Sequence, residues 1–178
     1  APGGRPAVLK LAGALLLVAA GALLGWMHAG RLAERPAQIR RLVRLLSQLE
    51  TDIAYGLTPL PEAFGRIGRQ ATEPLASLFR TAAVRLERDG MAAPEAWRAA
   101  LDSVWELTAM KNAEKEIMLS LGNTLGATDR DDQVRHLRLA VKQLESLEPE
   151  AAEEQRRYEK MWKSLGLLGG ALVAVILY

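Results

Sequence analysis

Two histidines and a cluster of aspartates are the side chains of this sequence best equipped for chemistry. His28 and His136 could hold a metal or move a proton, but neither has a partner at the spacing of an HExxH helix. His136 follows Arg135 and reads as a residue on a solvated helix face. Asp129, Asp131 and Asp132 could offer oxygen ligands to calcium. An EF-hand loop opened at Asp129 would need glycine at its sixth position and glutamate at its twelfth, where this chain has Val134 and Ala140. Carboxylates at the positive end of a helix dipole explain the cluster more simply. The chain has no GxxxxGKS or GxxxxGKT loop for nucleotide phosphates and no GxSxG elbow for acyl transfer. With no cysteine, thiolate nucleophiles, thiolate metal sites and disulfides are excluded. No metal, cofactor or catalytic activity is expected.

The elements come next, and charge separates them. Leu11–Gly30 and Ser164–Tyr178 contain no charged residue, whereas the stretch between them is charged throughout. Placing that middle in lipid would cost roughly 2.5–3.5 kcal/mol per central charge. Leu11–Gly30 makes a helix of about 30 Å, the thickness of a bilayer core. Counted from Trp162, the C-terminal run has seventeen residues, the lower limit for a span. The expected organisation is a leader and first span over 1–30, a helical domain over 31–161 and a second span over 162–178. Arg31, Arg35, Arg40, Arg41 and Arg44 follow the first span, and Arg156, Arg157, Lys160 and Lys163 precede or border the second. That bias puts the domain in the cytoplasm and both termini outside. Each span carries a GxxxG for close helix packing, Gly21 with Gly25 and Gly166 with Gly170. Without Arg5 and Lys10, basic and acidic residues balance at 21 each, so a basic surface for nucleic acid has no support.

Within the domain, the fold class reads as all-α, a bundle of about six helices. Pro36 is expected to open the first, with Ile39, Leu42, Leu46, Leu49 and Ile53 at helical spacing and Tyr55-Gly56 at its end. Thr58 is expected to cap the second, with Pro59 at its first position and Gln70 near its end. Glu73-Pro74 starts a third, carrying Leu75, Leu78, Phe79, Ala82 and Leu86 to a stop at Asp89-Gly90. Pro94 opens a fourth with Trp97, Leu101, Val104 and Trp105. A fifth follows Thr108, contains Ile117, Met118 and Leu121, and closes at Gly122 and Gly126. Thr128 or Asp129 caps the last, where Val134, Leu137, Val141 and Leu144 form a coiled-coil-like seam. Pro149 is expected to kink it. The charged runs Glu145–Glu154 and Arg156–Lys163 read as solvated faces.

These residues resemble the stage III sporulation protein AB family. The resemblance rests on Glu34-Arg35-Pro36, Leu49-Glu50, Ile53, Tyr55-Gly56, Thr58-Pro59-Leu60 and Glu62-Ala63. It continues through Leu121-Gly122, Leu125-Gly126, Asp129, Gln133 and Ser164-Leu165-Gly166. It implies a component of a complex built between mother cell and forespore during endospore formation. It also implies similarity to the platform proteins of type II secretion and type IV pilus systems. The expectation is a non-enzymatic platform in the mother-cell membrane that docks a secretion-type ATPase and other membrane subunits. Exposed polar residues in helix connections are the candidates for partner contact: Glu50, Tyr55, Glu62, Asp129 and Gln133. The alternative is a membrane scaffold, a homo-oligomer joined through the Leu42–Ile53 and Val134–Leu144 seams without an ATPase.

Overall fold

The computed structural model describes residues 33–56 and 58–177. Among them are six α-helices, one 3-10 turn and no strand. They are α1 (33–55), α2 (Leu60–Gln70), α3 (Leu75–Glu87), α4 (Ala93–Val104), the turn Trp105–Leu107, α5 (Asn112–Gly122) and α6 (Arg130–Leu177). Glu34–Glu154 form one compact unit.

Apolar residues recur every three or four positions in each helix, so each has one stripe to bury. Ile39, Leu42, Leu46 and Leu49 of α1 are fully buried, as are Leu137 and Leu144 of α6, with Val141 packed beside them. Both seams offered for self-association are thus largely consumed inside the bundle. At its centre Phe64 of α2, Phe79 of α3 and Trp97 of α4 form an aromatic trio with centroids 5.2–5.8 Å apart. Tilted and edge-on contacts of this kind add to the burial of the rings themselves. Consecutive helices α2 to α5 pack as neighbours. Asp52 and Gln48 join α1 to α2 through Arg66 and Gln70.

Most expected boundaries stand, and three details are corrected. Pro36 does not open α1, because residues 33–35 are already helical and Arg35 is held by an internal ion cluster. Thr58 makes no capping bond to α2. Pro59 occupies the cap position, its carbonyl accepting from the Ala63 N–H at 3.0 Å, and Pro61 stands in the first turn. Two prolines with fixed φ make a hydroxyl cap unnecessary there. Pro149, the expected kink position, stands inside α6, which is helical on both sides of it. Glu145–Glu154 is not simply a solvated face: Ala151 is fully buried, and Glu148 and Glu154 pair with α1.

The first expected span, with Gly21 and Gly25, lies outside the described residues. α6 continues as helix over 162–177, which includes Gly166 and Gly170. Among the described residues, no helix is long and apolar enough to cross a membrane.

Candidate functional site

Among the described residues, ion pairs lace antiparallel α1 and α6 together. Arg35 meets Glu154 at 2.7 Å, Arg40 meets Glu148 at 2.5 Å, and Arg138 donates to Glu50 at 2.6 Å. From Arg35 to Glu50 is fifteen residues along α1, matched by sixteen back along α6 from Glu154 to Arg138. This register, continued by five residues from Glu50, puts Tyr55 level with Gln133.

That end of the bundle gathers four of the five candidate residues. The connection between α5 and α6 rests on the starts of α4 and α2. A Cβ at Gly126 would lie 2.8 Å from that of Ala93 and 3.6 Å from Leu60 Cδ2. Gly126 also has φ of +68°, which an L side chain rarely adopts. Gln133 clamps the same connection. Its Nε2 donates to the Thr128 carbonyl at 2.8 Å, and its Oε1 accepts from the Gly126 N–H at 3.1 Å. Asp129 caps α6 by accepting the Asp132 N–H at 2.8 Å. Gln133, Asp129 and Glu50 thus have internal work, as helix capping and the α1–α6 pairing require. Among the described residues, Tyr55 and Glu62 make no side-chain hydrogen bond or ion pair. Tyr55 is 86% exposed at the end of α1, and Glu62 is exposed in the first turn of α2. One turn along α2 from Glu62, the Arg66 guanidinium, bonded by Asp52 and further attracted by Glu62, is held even more firmly protonated than usual.

His136 Nδ1 lies 2.9 Å from the Asp132 carbonyl on its own helix. Among the described residues no group of acidic and histidine side chains could hold a metal.

At the opposite end of α1 lies a cluster that the sequence reading missed. Arg35 and Glu114 are buried with 1% and 0% exposure. Arg35 Nε and Nη2 reach Glu114 Oε1 at 2.8 and 2.6 Å, and Glu114 Oε2 accepts the Lys111 backbone N–H at 2.9 Å. Arg35 Nη1 turns to Glu154, whose two oxygens also accept from Lys111 Nζ at 2.7 Å. Gln38, also buried, accepts the Ala109 N–H at 2.8 Å and so ties the preceding turn to α1. Two cations and two carboxylates thus neutralise one another where α1, α5 and α6 meet. Arg35 and Glu114 lie far from water, and such charges persist only when paired and hydrogen-bonded.

The hydrogen bond from Lys111, with a further contribution from Arg35, holds the Glu154 carboxyl below its ordinary value of 4.5. A carboxyl depressed by folding stabilises the fold above that ordinary value and loses this stabilisation as pH falls through the folded value. The thermal midpoint should therefore drop as pH is lowered below about 4.5. Glu154→Gln should make that drop shallower. An unchanged acid profile in the variant would show that Glu154 carries no such linkage. Glu73, lowered by Ser77 and then Arg80, contributes in the same direction and remains in the variant.

Fold and site together define an all-helical bundle whose outer helices are locked by ion pairs and whose far end presents an exposed tyrosine. The stage III sporulation protein AB family model matches residues 10–178. Stage III sporulation protein AB of Bacillus subtilis (strain 168) is 39% identical over 170 residues, covering 96% of this chain and 99% of that one. A solved structure of stage III sporulation protein AB superposes with TM-score 0.66 at 38% identity, over 70% of this chain and 98% of the other. The chain belongs to the stage III sporulation protein AB family, and its role lies in sporulation.

Proposed function

We propose that this chain is the non-enzymatic platform of a sporulation-specific, secretion-like complex in the mother-cell membrane facing the forespore. The helical unit lies in the cytoplasm and docks a secretion-type ATPase, while the apolar ends meet other membrane subunits. The observation that carries the docking reading is the exposure of Tyr55 at a braced end of the bundle, with Glu62 exposed in the first turn of α2. Tyr55 is 86% exposed, yet the helices beneath it are fixed by the Gln133 clamp and the α1–α6 ion pairs. An exposed aromatic on a rigid base loses little freedom on binding, and such residues dominate many interfaces.

The test is binding of the full chain, in an uncharged detergent, to the ATPase of the same complex. Glu62→Arg and Tyr55→Asp should each weaken binding by about thirtyfold, the scale of one interface hot spot of about 2 kcal/mol. Both positions are exposed, so helicity should be unchanged. Equal affinity for both variants and the unaltered chain would remove this end of the bundle as the docking face.

A further inference from the structure

α1 and the connection between α2 and α3 border an open cleft of about 200 Å3, lined in part by Arg41, Arg44, Gln70, Thr72 and Leu75. Among the described residues, no acidic residue lines it. Arg41 and Arg44 stand three residues apart and share a face of α1. Among the described residues, neither guanidinium has a carboxylate partner within 4.0 Å. Their neighbours are different: Arg40, next in the chain, pairs with Glu148, and Arg66 on α2 pairs with Asp52.

The remaining polar groups of the cleft have donors to offer. Gln70 Oε1 is taken by Gln48 Nε2 at 2.8 Å, which leaves its amide hydrogens. The Thr72 carbonyl is taken by the Ala76 N–H at 3.0 Å, which leaves its exposed hydroxyl. The cleft also opens beside the first turn of α3, where the Glu73 carboxylate, outside the lining, already accepts the Ser77 N–H at 3.1 Å. Two guanidiniums, an amide and a hydroxyl around one small space, without a carboxylate, match an oxyanion with several acceptor oxygens.

We propose that this cleft binds a phosphate group, held by Arg41 and Arg44 against the Gln70–Thr72 connection. The assignment is independent of the platform reading. The group could be a diffusible phosphate or a lipid headgroup, since both present the same oxygens.

The test uses the full chain in uncharged detergent micelles at constant ionic strength, with chloride as the reference anion. One arm titrates inorganic phosphate and glycerol phosphate by calorimetry. The other measures phosphatidylglycerol retained per chain from doped micelles by equilibrium gel filtration. Saturable binding is expected in at least one arm, and Arg44→Gln and Arg41→Gln should each weaken it by about tenfold. Arg88→Gln, an exposed change away from the cleft, should leave it intact. Binding in the first arm identifies a diffusible phosphate, and binding confined to the second identifies a lipid headgroup. The proposal is overturned by absence of saturable binding in both arms. It is overturned equally if the two cleft variants behave like Arg88→Gln, because binding would then follow overall charge or lie elsewhere.

Discussion

Arg35→Met is expected to destabilise the helical unit by about 3–5 kcal/mol, the usual cost of leaving one member of a buried ion pair without its partner. For a chain of this size that is a fall of about 10 °C in thermal midpoint. The cost falls mainly on Glu114, which is fully buried and would keep only the Lys111 backbone N–H. Glu154 suffers less, because it is partly solvated and retains Lys111 Nζ. The asymmetry gives a sharper test than the single variant. Arg35→Met combined with Glu114→Leu removes the stranded carboxylate and should recover much of the loss, since apolar replacements of buried pairs are often near neutral. A single variant within about 1 kcal/mol of the unaltered chain would mean that solvent reaches the cluster. A double variant worse than the single would mean that Glu114 is valued for holding the turn at Lys111 rather than for its charge.

The helices were legible because each writes its buried stripe into a local period. Leu42, Leu46 and Leu49, then Leu75, Leu78 and Phe79, then Trp97 and Leu101 were assigned to one face each, and all are buried. Asp129 was legible as a cap because capping is local, decided by residues three positions apart. Arg35 was not legible in this way. Its partner Glu114 is 79 residues distant and Glu154 is 119, and no periodicity marks either carboxylate as inward-facing. The positive-inside pattern offered a ready account of Arg35, while Glu154 sat in a run of charges that resembles any solvated face. Thr58 failed for the opposite reason. Its residue type favours capping, but the neighbouring Pro59 and Pro61 already shape the turn. Among the proposed contact residues, the local pattern could not separate Gln133, committed to the Gly126 turn, from Tyr55, which is free. That difference depends on how connections distant in sequence stack at one end of the bundle.

Trp97→Ala should cost about 3–5 kcal/mol, as large aromatic truncations in cores do. The indole is fully buried, touches Phe64 and Phe79, and donates from Nε1 to the Met118 carbonyl at 2.8 Å. Trp97→Phe keeps a ring in the trio but gives up that hydrogen bond, and should cost about 1–2 kcal/mol. Gly122 supplies the decisive comparison. It closes α5 directly against the indole, and a Cβ placed there would run into the Trp97 ring. Because the ring is anchored by its hydrogen bond and by two aromatic neighbours, it has little room to yield. Gly122→Ala alone should therefore destabilise by about 1–3 kcal/mol, the cost of overpacking, despite alanine's better helix propensity. In a Trp97→Ala background the obstacle is gone, so the same substitution should become neutral or stabilising. Denaturant unfolding of the four proteins in this cycle measures the coupling directly. Additive losses would mean that Gly122 is required for the backbone at the end of α5 and not for the approach of Trp97.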